Sequence, residues 1–202
     1  MIIGKYKKLD MNKLQPLVDL FLNSDQFVYH KSATHQQHWL GTLETGNFWQ
    51  DYPELFDYIE KNTYPENEKI TGTWFKLYTS NTKLGSATGE FIGLHQDKRY
   101  ENPVDEDHLI HTTSIMLHRS EDAEGAYTVL AGDDAIDKNL QDRFKDSRDL
   151  MSRLLVEDVQ EPGQMVVWNG WTMHGVSEMK KGSRLNLIIF KKSKFNEDYF
   201  KT

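Results

Sequence analysis

Val159-Gln160-Glu161-Pro162-Gly163-Gln164-Met165-Val166-Val167-Trp168 is the stretch whose reading decides the fold. It runs as the end of one strand, a Pro-Gly turn and an apolar strand, and short apolar runs bounded by turn residues are strand material. Similar runs recur on both sides of it. From Ile70 the period is close to two, with Trp74, Lys76 and Tyr78 alternating with Phe75 and Leu77. Further strands are expected at Glu90–His95, His111–Leu117, Tyr127–Leu130, Leu154–Val159, Met165–Trp168 and Leu185–Phe190, with Gly132 and Gly182 as additional breaks. Two helices are expected ahead of them. One covers Lys13 to Asn23, with Asn12 as its cap, and the other Pro53 to Lys61, opening on its proline. Seven short strands after two helices, without strand–helix alternation, predict a mainly β chain: an antiparallel sandwich or barrel buttressed by N-terminal helices.

A length of 202 residues fits one domain able to bury its own core. Within it, residues 1–69 are expected to form a helical support region and residues 70–192 the β core. Phe27 to Gln50 is rich in aromatics and histidines but has no clean period. Between Asp133 and Leu155, Ile136, Leu140, Phe144, Met151 and Leu154 fall near helical spacing, which predicts a short amphipathic helix or a lid.

Composition narrows the function classes. At 38% hydrophobic and 27% charged, with no long apolar stretch, the chain reads as soluble and not membrane-spanning. Its N-terminus lacks a signal-peptide apolar region, so a cytoplasmic location is expected. Cysteine is absent, so any metal must sit on histidine and carboxylate. The balance of 24 basic against 31 acidic residues gives −7 and disfavours a nucleic-acid partner. Lysines cluster from residue 180 onward, at Lys180, Lys181, Lys191, Lys192, Lys194 and Lys201. They read as a solvated or edge strand guarded against aggregation.

The chemistry lies in four residues. His95 and Asp97 end the run Gly89-Glu90-Phe91-Ile92-Gly93-Leu94-His95-Gln96-Asp97, His174 closes Trp171-Thr172-Met173-His174, and Arg184 opens a strand ten positions later. His-x-Asp alone carries little weight, since 8 His and about 17 Asp in this length supply such a pair by chance. Context raises its value. Residues two apart on a strand share a face, so His95 and Asp97 are able to meet one metal, and a remote His completes the 2-His-1-carboxylate triad that suits Fe(II). Arg184, buried on a barrel strand, needs a carboxylate for its planar fork. A dicarboxylate that chelates iron at one end and meets Arg184 at the other satisfies both demands.

From Thr71 to Lys191 the chain resembles the 2-oxoglutarate- and Fe(II)-dependent dioxygenases with a double-stranded β-helix (jelly-roll) core, nearest their prolyl 4-hydroxylase-like branch. The resemblance is carried by Lys76-Leu77-Tyr78, the His95-x-Asp97 pair, His111–Leu117, Glu124-Gly125-Ala126-Tyr127-Thr128, Pro162-Gly163, His174-Gly175-Val176 and Arg184. It implies that His95, Asp97 and His174 ligate iron and that Arg184 binds the distal carboxylate of 2-oxoglutarate. Tyr78 stands where relatives also reach that co-substrate. A Tyr that relatives place near Met116 is missing, which leaves Ser114 or Asn186 as its substitute. Asp97 favours a hydroxylase, because halogenating relatives lose this carboxylate. The implied reaction uses O2 and 2-oxoglutarate to hydroxylate a C–H bond of an amino acid, a peptidyl residue such as proline, or a small metabolite, releasing succinate and CO2.

Two alternatives stand beside this reading. Arg184-Leu185-Asn186 matches the Arg-x-Asn of nucleobase-demethylating relatives, although their further Arg is replaced here by Phe190. A metal- or ligand-binding β-barrel without turnover is the other. His30, His35, His38, His108, His111 and His118 read as surface or satisfied polar histidines, and Trp168 and Trp171 as packing residues.

Overall fold

Strand alternation around Arg184 divides the molecule into layers. The computed structural model describes residues 4–22, 28–29, 36–38, 48–79, 92–95, 97, 108–131, 154–158, 161–170, 172, 174–176 and 179–194. In chain order the elements are β1 (Gly4–Lys8), α1 (Met11–Phe21), β2 (Val28–Tyr29), β3 (Gln36–His38), α2 (Phe48–Asp51), α3 (Pro53–Asn62), β4 (Ile70–Thr79), β5 (Ile92–His95) and β6 (His108–Arg119). They continue as β7 (Glu124–Gly125), β8 (Thr128–Ala131), β9 (Leu154–Asp158), β10 (Gln164–Asn169), β11 (His174–Val176), β12 (Met179–Lys181) and β13 (Ser183–Lys194). A seven-stranded sheet in the order β1-β10-β6-β13-β4-β3-β2 faces a four-stranded sheet in the order β5-β11-β8-β9, and every strand pair in them is antiparallel. The mainly β architecture with supporting helices is as expected from the sequence.

One face of the large sheet is apolar and takes the helices. Phe75, Leu77, Ile115, Leu117, Met165, Leu185, Leu187 and Ile189 cluster there with Leu14, Leu17, Val18 and Phe21 of α1 and Ile59 of α3. Full burial of each such side chain stabilises by roughly 1.5–3 kcal/mol. Phe21 stacks on Phe75 at 3.8 Å between ring centroids, and Trp49 Nε1 donates to Thr73 Oγ1 at 2.9 Å. The helices thus hold the sheet from behind and leave its other face free to line a site.

Several local expectations change. Helix α1 starts two residues earlier than the sequence implied, because Asp10, not Asn12, is its cap: the Asp10 carboxylate accepts from the Asn12 backbone N–H at 3.0 Å. The stretch ahead of residue 70 is not purely helical, since β1, β2 and β3 add strands to the large sheet. The lysine-rich final strand is not an edge. β13 lies between β6 and β4, and Lys191 is fully buried, donating to the carbonyls of Glu60, Thr63 and Pro65 at 2.7, 2.8 and 2.9 Å. Carbonyls in the last turn of a helix have no intrahelical partner, so the ammonium caps the end of α3. Of the helix or lid expected between Asp133 and Leu155, residues 133–153 lie outside the described residues, as do His30, His35 and Trp171.

Candidate active site

Register fixes which side chains share the sheet face turned away from the helices. Directly opposed residues of an antiparallel pair point the same way, and so do residues two apart. On β13, Arg184 pairs with Tyr78, Asn186 with Lys76 and with Met116, and Ile188 with Trp74 and Ser114. Across β6 and β10, Trp168 pairs with Thr112 and Val166 with Ser114. Lys76, Tyr78, Thr112, Ser114, Trp168, Arg184 and Asn186 therefore share one face. All four residues expected to serve a co-substrate are among them.

The small sheet brings the remaining members. His174, at the start of β11, pairs with His95 of β5 on one side and Leu130 of β8 on the other. Asp97 follows His95 by two residues. His174 Nε2 stands 3.6 Å from Asp97 Oδ2. The other imidazole nitrogen, Nδ1, lies 2.9 Å from the carbonyl of Thr172. A carbonyl only accepts, so Nδ1 carries the proton, and in the neutral ring Nε2 keeps its lone pair turned toward Asp97. Donation of the far N–H to a carbonyl is how metal-binding histidines are commonly fixed in tautomer and orientation. Of His95 the backbone alone is described. Among the described side chains no group of three His, Cys, Asp or Glu gathers.

Asp97 is held as tightly as His174. Its Oδ2 accepts from Thr112 Oγ1 at 2.5 Å and from Trp168 Nε1 at 3.1 Å, and the Trp168 ring lies 4.6 Å from the His174 ring. Trp168 is therefore more than the packing residue its sequence context implied. Thr112 has a role the sequence did not reveal. The alternation of Val166 with Trp168 shows that they share a face, but not that this face meets Asp97. A nitrogen donor and a carboxylate, both fixed by neighbours, with a second histidine on the adjoining strand, match the donor set of a divalent first-row metal.

Arg184 is the bridge between the sheets. It is 1% exposed. Nε donates to Asn186 Oδ1 at 2.6 Å, Nη2 donates to Thr128 Oγ1 at 2.9 Å, and Nη1 donates to the carbonyl of Ala126. Thr128 lies on β8, two residues from the Leu130 that opposes His174, so the guanidinium is tied to the strand beside the histidine. Asn186 in turn donates from Nδ2 to Ser114 Oγ at 2.8 Å. Ser114, Asn186 and Arg184 form one chain of hydrogen bonds. Tyr78 is buried with the Arg184 guanidinium 5.7 Å from its ring centroid. Burial pushes its phenol up to about 12, an effect the Arg184 charge partly offsets, so Tyr78 remains a neutral hydroxyl. The position six after Arg184 is Phe190, which packs edge-on against Trp74 at 5.1 Å and supplies no second guanidinium.

His111, by contrast, belongs to the helix side. It is buried, its Nε2 lies 2.7 Å from Ser193 Oγ and its ring packs against that of Tyr64.

Solved structures with this fold include non-haem, alpha-ketoglutarate-dependent enzymes. The carbocyclase SnoK of nogalamycin biosynthesis, described as alpha-ketoglutarate-dependent, aligns with a TM-score of 0.57 at 12% identity, over 90% of this chain and 73% of its own. A Pseudomonas putida prolyl-4-hydroxylase aligns at 0.52 and 14% identity, over 96% and 92%. EvdMO1 aligns at 0.55 and 13% identity over 96% of this chain, which spans only 47% of EvdMO1. At these identities the likeness is one of fold: the jelly roll of the 2-oxoglutarate/Fe(II) oxygenases. The model of the phytanoyl-CoA dioxygenase (PhyH) family matches residues 9–183, and the chain belongs to that family. No curated protein matches it. The family is thus PhyH, and a prolyl hydroxylase stands among the structural neighbours beside a carbocyclase.

Proposed function

We propose that the protein is a 2-oxoglutarate- and Fe(II)-dependent oxygenase in which His95, Asp97 and His174 hold the metal and Arg184 holds the distal carboxylate of the co-substrate. The observation that carries this is the paired fixation of two donors. His174 is locked with Nε2 toward Asp97, and Asp97 is locked by Thr112 and Trp168. Bound iron would supply the redox chemistry, activating O2 and coupling it to oxidative decarboxylation of 2-oxoglutarate to succinate and CO2.

What the chain itself does is bind and orient. Thr172, Thr112 and Trp168 fix the side chains of His174 and Asp97, so little reorganisation of these two would accompany loading. Asn186, Ser114 and Thr128 hold the Arg184 fork, and pre-organisation lowers the entropic cost of taking a carboxylate. Tyr78, Asn186 and Ser114 offer neutral hydrogen-bonding groups beside it. The reaction we infer is hydroxylation of a C–H bond in an amino acid, a peptidyl residue or a small metabolite, in the cytoplasm.

The test is succinate release from 2-oxoglutarate under O2 with Fe(II), screened against free amino acids, proline-containing peptides and small metabolites. Stimulation by one of these classes supports the reading. Absence of succinate with every one, together with no binding of 2-oxoglutarate to metal-loaded protein, overturns it in favour of a non-catalytic barrel.

A further inference from the structure

Two arginines reach the same short segment from neighbouring strands. Arg184 of β13 stands directly opposite Arg119 of β6, and a bulge is what makes its partner an arginine. Asn186 pairs with Met116 and Leu185 with His118, so Leu117 is the extra residue of β6. In an unbroken ladder Arg184 would oppose His118. Bulges re-aim side chains in this way and are frequent beside active sites.

Beyond Arg119 the chain turns back through residues 120–126, and the two guanidiniums grip successive carbonyls of that turn. Nη2 of Arg119 donates to the carbonyl of Gly125 at 3.0 Å and to that of Ala123 at 3.2 Å. The next carbonyl, of Ala126, is the one that takes Nη1 of Arg184. Gly125 has φ 87° and Ala126 φ 50°, and among the described residues Ala126 is the only non-glycine in the left-handed region. That conformation is uncommon for a residue with a Cβ and persists where surrounding contacts impose it.

The contacts come from three sides. β12 pairs with β7, setting Met179 against Gly125. Gly182 approaches so closely that a Cβ built there would stand 2.8 Å from Ala123 Cα. Arg119 supplies the third, with its guanidinium also 5.1 Å from the centre of the Tyr127 ring. Its placement is unfavourable in two respects. Nη1 of Arg119 is buried with no hydrogen-bond partner among the described residues, and like charges directly opposite one another destabilise a sheet. A neutral side chain would avoid both penalties, so the fold alone does not call for an arginine here.

We propose, resting on the co-substrate reading given above, that Arg119 is a positioning residue for the co-substrate anchor. By gripping the carbonyls of Ala123 and Gly125 it holds the Ala126 carbonyl in its left-handed setting. That carbonyl, with Asn186 and Thr128, fixes the plane of the Arg184 fork. Bidentate pairing with a carboxylate depends on that plane, so loss of Arg119 impairs the distal end of the co-substrate site and nothing else in it.

Calorimetric titration of Mn(II)-loaded protein with 2-oxoglutarate and with 2-oxobutanoate, which lacks the distal carboxylate, tests this. Arg119→Met is expected to weaken 2-oxoglutarate about tenfold, the scale of coupling within one hydrogen-bond network, and to leave 2-oxobutanoate and Mn(II) affinity unchanged. Turnover should show the same split, with the apparent KM for 2-oxoglutarate raised and kcat at saturation kept. Arg119→Lys, which still offers donors to the two carbonyls, should recover part of the loss. A residue serving only the fold would weaken both ligands alike and lower the melting temperature, and that result overturns the proposal. Unchanged 2-oxoglutarate affinity in both Arg119→Met and Arg119→Gln overturns it as well. A wild-type protein that does not bind 2-oxoglutarate overturns the co-substrate reading itself, a result distinct from failure of Arg119 alone.

Discussion

Replacing Arg184 with Ala tests the anchor of the co-substrate site most sharply. The side chain is buried and is held by Asn186, Ala126 and Thr128, all through neutral groups. A carboxylate docked on it would lose its charge partner in a water-poor site. Losses of that kind run to roughly 2–5 kcal/mol, or about 30-fold to several-thousand-fold in affinity. The same substitution strips donors from three acceptors, and each stranded buried acceptor costs about 1–3 kcal/mol, so some loss of stability is expected as well. Arg184→Lys separates the two effects, since it keeps the charge and forfeits the fork. The assay is succinate formation against 2-oxoglutarate concentration, with Mn(II) affinity and melting temperature measured on the same preparations. Arg184→Ala should raise the apparent KM for 2-oxoglutarate by at least about thirtyfold with Mn(II) affinity nearly intact. Arg184→Lys should fall between it and the wild type. An unchanged KM in a folded variant would refute the reasoning, and equal loss of metal and co-substrate binding would show that the residue serves the fold.

Trp168→Phe keeps the ring beside His174 but removes the N–H that Asp97 accepts; metal affinity should fall about 10- to 100-fold, the usual cost of losing an outer-shell partner, as read by Mn(II) titration. His111 is held by burial at about 4, well below the ordinary 6.5, with the Lys191 charge acting in the same direction. The unfolded chain therefore binds the extra proton first. His111 contributes stability that is present above about pH 6.5 and is lost as pH falls to about 4, on the order of 3 kcal/mol, and urea melts across that window should show a flatter slope in His111→Gln.

Much of the fold was legible because its strands carry their own signal. Met165 to Trp168 and Leu185 to Phe190 are apolar, bounded by turns and paired on both sides within the large sheet. β1, β2 and β3 are short and mixed in polarity, so what makes them strands is pairing with β10 and β4 and not local preference. Lys191 misled for a related reason. A strand lysine is ordinarily solvated, and here the carbonyls at the end of α3 take the place of water. In the site, residue types and spacing pointed to His95, Asp97, His174 and Arg184. Thr112 and Trp168 were not legible as partners of Asp97, because that relation depends on the register of β6 and β10, which no local pattern encodes.

The central claim is that His95, Asp97 and His174 form one metal centre, and anaerobic Fe(II) titration of wild type and His174→Ala tests it most directly. The wild type should bind a single Fe(II), and His174→Ala, with an unchanged melting temperature in the absence of metal, should lose that binding together with 2-oxoglutarate-dependent succinate release. Fe(II) binding in His174→Ala indistinguishable from that of the wild type would contradict the account.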